Sequence, residues 1–186
     1  MFEIRDVRQI QLLASPVRQA IIDALESSGP RSAAELATLL GYAPDALYHH
    51  VRKLARGGLV TTAQGPGGRG KRCAVFALKT MGTRLHYDPS NRQNRRAISA
   101  VAATMLRDAS RAFAKAMKHN PVVEGRRRDL WVGRRTGWLT QAELEQLNDL
   151  LHQITKLMEI ARPRRRRTRL YALTFALSPF GAKRPS

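Results

Sequence analysis

The sequence has few of the residues on which several classes of protein depend. Its 186 residues include one cysteine, Cys73, which excludes an internal disulfide and a cysteine-based zinc site. Only 14 residues are acidic, most fall at predicted helix starts or on helix faces, and none is paired near a histidine in a catalytic pattern. No segment reaches the roughly 18 to 20 uncharged apolar residues of a membrane span. We therefore expect no enzyme activity, no cofactor and no membrane association.

The N-terminal residues carry charges within their apolar pattern, which is unlike a signal peptide. Together with the single cysteine, this pattern favours a reducing compartment, and we expect a cytoplasmic protein.

Basic residues are, by contrast, in large excess. Lysine and arginine total 33, which gives a net charge of +19. Residues 1–88 hold 12 cations and 7 acids (net +5), whereas residues 89–186 hold 21 and 7 (net +14). Such an imbalance destabilises a compact chain by self-repulsion unless an acidic partner offsets it. Nucleic acid is the first partner to consider.

Three short helices are predicted in the first part of the chain. Residues 15–28 begin with a serine and a proline, which favour a helix start. Residues 32–40 begin with the capping box Ser32-x-x-Glu35 and are followed by a glycine stop. Residues 44–56 form the third helix, which ends at a glycine pair.

A β-hairpin is predicted after these helices. The strand-favouring segments LVTTAQ and CAVFALK flank GPGGRGKR, a loop with four glycines and three cations. Three helices followed by a basic hairpin are the plan of a winged helix-turn-helix domain, which we place at residues 1–88.

Residues 89–186 are predicted to be a helical dimerisation region that also contains two extended segments. Residues 91–119 and 140–161 have apolar stripes at helical spacing, and the second stripe follows a heptad pattern. The first stripe is the favoured dimer interface. The extended segments, around residues 129–139 and 170–180, are expected to pair as strands, with Leu130, Val132 and Trp138 pointing inward. The predicted fold class is therefore mainly α with a small β component.

The third helix, with the sequence PDALYHHVRKLAR, has two chemically different faces. At 100° per residue, Leu47, Val51 and Leu54 share an apolar face. The opposite face carries polar and basic side chains: His49, Arg52, Lys53 and Arg56. A helix with such a cationic face fits the DNA major groove in width and charge, so we expect double-stranded DNA as its partner.

The adjacent histidines of this helix do not suit a metal site. Helical ligands need a spacing of three or four residues to share a face, whereas His49 and His50 diverge by 100°. We expect His50 to be a partly buried packing residue and His49 to point outward, toward solvent or DNA.

The segments LASPVRQAIIDAL and SAAELATLLGYAPDALYHHVRKLARGGLV resemble the ArsR-type winged helix-turn-helix regulators over residues 12–78. The resemblance implies a homodimeric repressor that releases DNA on binding an effector. Because a dimer places two recognition helices on two half-sites, we expect the operator to be an inverted repeat. Carried over by position, the resemblance implies DNA contacts from the third helix at Tyr48, His49, Arg52 and Lys53, and from the wing at Arg69, Lys71 and Arg72. Metal-sensing members carry a Cys-x-Cys pair where this chain reads ELATLL, so the resemblance identifies no effector.

The arginine runs GRRRD and RPRRRRTR leave an alternative open. They could contact the DNA backbone, bind RNA, or form a solvated surface. A nucleic-acid-binding protein without sequence preference is therefore the alternative function. A small-molecule pocket near Trp131, Trp138 and Tyr171 is a further hypothesis.

Overall fold

A computed structural model describes residues 2–64, 74–160 and 169–181. These residues belong to two units: the first holds residues 2–105 together with Arg169, and the second holds Leu106–Ile160 together with residues 170–181. The division between a DNA-binding part, residues 1–88, and a dimerising part, residues 89–186, remains a prediction about function.

The first unit contains the three predicted helices and a shorter helix before them. They are α1 Val7–Leu12, α2 Pro16–Ser28, α3 Ala33–Leu40 and α4 Pro44–Arg56. The capping box of α3 is confirmed, because the Ser32 amide donates to Glu35 Oε2 at 2.8 Å and the Glu35 amide donates to Ser32 Oγ at 3.3 Å. Gly41 ends α3 at a φ of 71°, in the left-handed region that favours glycine. A short turn then leads into α4.

The predicted hairpin is also confirmed. Five strands are described: β1 Phe2–Ile4, β2 Arg31–Ser32, β3 Val60–Gln64, β4 Ala74–Leu78 and β5 Thr83–Leu85. Strands β3 and β4 are antiparallel, with Val60 opposite Leu78. Strand β2 pairs with the other edge of β4, and β1 pairs in parallel with β5. The strands β1, β2 and β5 have two or three residues each, too few for a periodic pattern to reveal them.

The core of the first unit lies among α1 to α4 and the base of the hairpin. Its largest fully buried side chains are Ile4, Ile10, Ile21, Leu25, Leu36, Leu47, Val51 and Leu54. Gly57, at the end of α4, permits a close approach of two elements, because a Cβ atom there would collide with Leu12. The core thus fixes α4 against both α1 and the hairpin.

Helix α5, Arg92–Ala116, begins in the first unit. Asn94 is buried and joins the helix start to the preceding chain, donating to the His86 carbonyl at 3.0 Å and accepting from the Asp88 amide at 2.9 Å. Ala97 and Val101 are buried in the same core. Val101 lies on the apolar stripe of residues 91–119 that is predicted to form the dimer interface, and its burial in the core of one subunit shows that this prediction is wrong for Val101. Met105 of this stripe is exposed, and Ala109, Phe113 and Ala116 after it are half-buried.

The second unit contains the end of α5, a 3-10 turn at Met117–His119 and α6 at Gln141–Ile160. A second capping box is confirmed at the start of α6, where the Thr140 amide donates to Glu143 Oε2 at 2.7 Å and the Glu143 amide donates to Thr140 Oγ1 at 3.3 Å. None of the side chains described in this unit is fully buried.

The predicted strand pairing in the second unit is wrong. Within the described ranges, residues 121–140 and 169–181 contain no strand. Val132 is 79% exposed and Trp138 is 93% exposed, so these side chains do not point inward, and Leu130 is only half-buried. Their apolar spacing alone was not enough to define a strand, because a strand also needs a hydrogen-bonded neighbour. Among the described residues, no helix is long and apolar enough to cross a membrane.

Candidate nucleic-acid interface

Helix α4 separates an apolar face from a basic face. Leu47, Val51 and Leu54 are each 0% exposed and pack into the core. The four outward residues predicted from the helical wheel are all exposed: His49, Arg52, Lys53 and Arg56. Since the apolar face is completely buried, the helix cannot rotate without losing the core, and its basic face is held outward.

The N-terminal turn of α4 is exposed as well. Residues 41–46 are all accessible to solvent. Sequence reasoning missed Tyr42, which lies in the turn between α3 and α4 and is 40% exposed. Tyr42 could have been recognised in the sequence as a candidate contact with DNA, because it lies between the two helices of the predicted helix-turn-helix motif. A phenolic hydroxyl at this place is a suitable donor to a phosphate oxygen.

Tyr48 packs against the hairpin. Its ring makes an edge contact with Phe76 of β4 at a centroid distance of 6.4 Å, and the residue is half-buried. The guanidinium carbon of Arg52 lies 5.8 Å from the centre of the Tyr48 ring. Tyr48 therefore supports Arg52 and joins α4 to β4, while its contact with DNA remains a prediction.

A cleft of about 240 Å³ lies between α4 and the hairpin. Arg52 and Arg56 line it from the helix, and Thr62 lines it from β3. Two guanidinium groups and a hydroxyl form a donor set that suits phosphate oxygens. The wing residues Arg69, Lys71 and Arg72 lie outside the described residues, and their contact with DNA remains a prediction.

The two histidines of α4 differ in environment, as expected. His49 is exposed, whereas His50 is half-buried and its Nδ1 atom is buried with no hydrogen-bond partner among the described residues. Burial lowers the pKa of His50, and the positive charges of Arg18, His49 and Lys53 lower the pKa further. The neutral form of His50 is therefore favoured. In the described ranges, no group of three or more potential metal ligands lies together.

The second unit also presents arginines beside aromatic rings. The guanidinium carbon of Arg128 lies 3.8 Å from the centre of the Trp131 ring, and that of Arg134 lies 4.9 Å from the Phe180 ring. Trp131 and Trp138 are largely exposed, and Tyr171 is exposed too, so the exposure of these side chains does not support the hypothesis of a small-molecule pocket near them. Most of the run RPRRRRTR lies outside the described residues.

Residues 13–63 match a family model described as a helix-turn-helix domain. The chain contains a helix-turn-helix domain. The matched range covers α2 to α4 and most of β3, and with the hairpin it has the winged helix-turn-helix fold. Helix-turn-helix domains place their second helix in the DNA major groove. The second helix of this motif is α4, and its contact with DNA remains a prediction.

Solved structures with a similar arrangement include three proteins. The transcriptional regulator Tm0710 from Thermotoga maritima is 17% identical, the match covers 78% of this chain and 76% of that chain, and the TM-score is 0.34. RV1404 from Mycobacterium tuberculosis is 20% identical, with coverage of 81% of this chain and 76% of that chain and a TM-score of 0.31. The MarR family regulator NMB1585 from Neisseria meningitidis is 12% identical, with coverage of 77% and 75% and a TM-score of 0.31. A comparison with curated proteins found no match. The ArsR-type resemblance remains a prediction.

Proposed function

We propose that the protein is a homodimeric, cytoplasmic transcription regulator that reads an inverted-repeat operator with α4 and the wing at residues 65–72. The observation that carries the proposal is the division of α4 into a fully buried apolar face and an exposed basic face within a helix-turn-helix domain. The proposed outcome of binding is repression, as the ArsR-type resemblance implies.

The geometry of α4 favours reading of DNA in the major groove. A helix with its side chains is about 10 to 12 Å wide, and the major groove of B-DNA is about 12 Å wide. With Leu47, Val51 and Leu54 buried, the groove would meet His49, Arg52, Lys53 and Arg56. Arginine can donate two hydrogen bonds to guanine O6 and N7, so we propose Arg52 as the main base-reading residue.

Dimerisation is proposed because part of the apolar surface of α6 is uncovered. Leu150, Ile154, Leu157 and Met158 of α6 are all exposed, although the helix has 20 residues. A helix with no fully buried residue gains little from packing, which is the main source of helix stability in proteins. A second copy would cover this stripe.

The charges of the helices are compatible with such an assembly. Helix α6 carries four acids and one lysine, whereas α5 carries six cations and one acid. Helices of opposite net charge can therefore face one another between copies. A two-fold axis would place two α4 helices on half-sites about 34 Å apart.

Selection of bound sequences from a random duplex pool tests DNA specificity, symmetry and half-site spacing together. We expect an enriched inverted repeat with half-sites about one helical turn apart. Enrichment of a single short motif would contradict the dimeric reading, and no enrichment would contradict sequence-specific regulation.

The selected duplex also permits a test of Arg52. We expect Arg52→Ala to weaken binding of the selected duplex by about 1 to 3 kcal/mol and to reduce its preference over random duplex. Arg84→Ala is the matched control, since Arg84 is an exposed arginine on β5, away from α4. Fluorescence anisotropy at one fixed salt concentration gives both affinities. If Arg52→Ala leaves their ratio unchanged, α4 does not read the sequence.

Nucleic-acid binding without sequence preference is the second candidate function. The contact of Arg128 with an exposed Trp131 favours it, because exposed aromatic and arginine groups stack on unpaired bases. The double variant Arg128→Ala with Trp131→Ala should weaken binding of single-stranded RNA if this function holds, and should leave the selected duplex preference unchanged. Truncation after residue 88 is a less suitable test of this function than the double variant, because it would remove Ala97 and Val101 of α5, which belong to the core of the first unit.

A further inference from the structure

The basic surface of α4 consists of two rows of side chains. Tyr48, Arg52 and Arg56 follow one another at intervals of four residues, so they form one row along the helix. All three line the cleft of about 240 Å³ between α4 and the hairpin. His49 and Lys53 each come one residue later, which turns them by about 100° from this row, and neither lines the cleft. One row therefore lies beside the hairpin and the other lies away from it.

The hairpin contributes a hydroxyl group to the opposite wall of the cleft. Thr62 of β3 is paired with Phe76 of β4, and both residues line the cleft. Thr61 precedes Thr62, so its side chain points to the other face of the strand, where its hydroxyl donates to the Ala77 carbonyl at 3.4 Å. The Thr62 hydroxyl makes no hydrogen bond with any residue that the structure describes. It is therefore available to a ligand in the cleft.

The charges around the cleft are of one sign. Among its described lining residues there are two arginines and no acid. Neither Arg52 nor Arg56 forms an ion pair with a carboxylate in the described part of the chain. Two guanidinium groups without a carboxylate partner, together with a hydroxyl, are suited to an external anion that has several oxygen atoms.

The position of the cleft beside α4 indicates which anion it binds. In a helix-turn-helix domain, the N-terminal part of the second helix contacts base edges in the major groove. Arg56 belongs to the last turn of α4, so in such a complex it would lie at the border of the groove. A sugar-phosphate strand forms that border and separates the major groove from the minor groove. The strand on the hairpin side would therefore pass along the cleft.

We propose that Arg56 and Thr62 bind one phosphate of this DNA strand, next to the base that Arg52 reads. The Arg56 guanidinium donates to the two non-bridging phosphate oxygens, and the Thr62 hydroxyl donates to one of them. Such a contact fixes the register of α4 in the groove without carrying sequence information. The inference rests on the proposed function, because it takes duplex DNA as the partner. It divides the row beside the hairpin into a base-reading arginine and a phosphate-binding arginine.

The two arginines should differ in their effect on sequence preference. Arg56→Ala should weaken binding of the selected duplex and of random duplex by the same factor, whereas Arg52→Ala should reduce the preference between them. In Arg56→Ala, the slope of log affinity against log salt concentration should fall in magnitude by about 0.9 for each bound copy. Arg84→Ala should keep the wild-type slope. An altered sequence preference in Arg56→Ala, or an unchanged slope, would overturn the phosphate contact.

Neutral phosphates locate the contact on the DNA. A methylphosphonate carries a methyl group in place of one charged oxygen, and a series of selected duplexes with one such group each tests every phosphate of a half-site. At the bound phosphate we expect the wild type to lose affinity by about tenfold. Arg56→Ala should lose little there, because the partner of that charge is already missing. Equal losses in the two proteins at every position would show that Arg56 binds no particular phosphate.

The hydroxyl of Thr62 is tested by Thr62→Val, which keeps the shape of the side chain. We expect affinity for the selected duplex to fall by about three- to tenfold with the salt slope unchanged, because a donor is lost and no charge is removed. Thr61→Val is the matched control, since Thr61 is exposed on the other face of β3 and should not affect binding. Equal affinities of Thr62→Val and Thr61→Val would exclude Thr62 from the contact.

Failure of this inference can be distinguished from failure of the proposed function. If the random pool yields no enriched sequence, the regulator is overturned, while the salt slope of Arg56→Ala on random duplex still decides whether Arg56 binds a phosphate. Calorimetric titration of the full chain with inorganic phosphate covers the other source of the same chemistry, and we expect no saturable binding at millimolar concentration. Saturable binding that is lost in Arg56→Ala, with an unchanged salt slope on duplex, would assign the cleft to a free phosphate compound and overturn the DNA contact.

Discussion

At the scale of single residues, the protonation of His50 makes the stability of the folded protein depend on pH. His50 lies on the same helix as the basic face but is half-buried, and its Nδ1 atom has no partner among the described residues. Burial and the nearby charges of Arg18, His49 and Lys53 lower its pKa below the value of 6.5 for an unperturbed histidine. The unfolded chain therefore takes up a proton at this position at a higher pH than the folded protein does.

The resulting prediction concerns stability below neutral pH. Because the unfolded state binds more protons as pH falls below about 6.5, His50 should lower the free energy of unfolding from there down to its folded pKa. His50→Leu should remove this contribution, and at pH 7.5 it should be as stable as the wild type or more so, because it removes a buried atom without a partner.

Urea denaturation at pH 7.5 and pH 5.5 measures the effect. The difference between the two pH values should be smaller for His50→Leu than for the wild type. His49→Leu is the matched control, since His49 is exposed on the same helix and supplies only one of the charges that lower the pKa of His50, so it should reduce this difference less than His50→Leu does. An equal pH dependence of all three proteins would show that His50 is not the group responsible.

Sequence reasoning placed most of the residues of α4 correctly, and Tyr48 shows where it fails. The helical period assigns Leu47, Val51 and Leu54 to the core and Arg52, Lys53 and Arg56 to the surface. Tyr48 falls between these groups, so the period does not decide its orientation. The contact with Phe76 determines the orientation of Tyr48. Phe76 is distant in sequence and lies on β4, which is paired with β3.

At the scale of elements, local capping explains why the helix starts were predictable. The capping box is a pattern within four residues, and both copies of it, at α3 and α6, form the expected hydrogen bonds. The paired strands expected around residues 129–139 and 170–180 depended on a contact between distant segments, and the described segments do not form it. A pattern local to a helix end was thus sufficient to predict where the helix begins, whereas an apolar alternation without a known neighbouring strand was not sufficient to predict a strand.

The capping box of α3 yields a prediction for the helix-turn-helix motif. Ser32→Ala removes the acceptor of the Glu35 amide, and we expect it to lower the free energy of unfolding by about 1 kcal/mol. In urea, the midpoint should fall while the slope stays unchanged. Ser99→Ala is the control, because Ser99 is exposed in the interior of α5, where alanine favours the helix. Equal midpoints for Ser32→Ala and the wild type would exclude a stabilising role for this cap.

At the scale of the whole molecule, the two units differ in how they are stabilised. The first unit has a core of buried aliphatic side chains from α1 to α5 and the hairpin. The second unit has no fully buried side chain among its described residues, although it presents large apolar residues such as Leu157 and Phe180 to solvent. Exposed apolar surface of this extent is typical of an interaction site. The sequence could not reveal this difference, because a heptad stripe has the same spacing whether it packs within one subunit or between two.

The dimer prediction can be tested at Ile154, in the middle of the α6 stripe. The side chain is 40% exposed in the single chain, and in the proposed dimer it lies against the second copy. Ile154→Asp should convert a dimer to a monomer at micromolar concentration, because a carboxylate without a partner is costly to bury. Sedimentation velocity measures the change. Far-ultraviolet circular dichroism should show a loss of helix, since α6 would then lack its packing partner.

His152→Asp is the matched control, because it adds an aspartate two residues away, on the exposed face of α6 where the neighbouring side chains are polar. It should remain a dimer and keep its helix content. Affinity for the selected duplex should fall in Ile154→Asp alone, since a monomer contacts one half-site instead of two. If the wild type sediments as a monomer, or if both variants remain dimers, α6 does not form the interface, and the exposed stripe of this unit must be covered in another way.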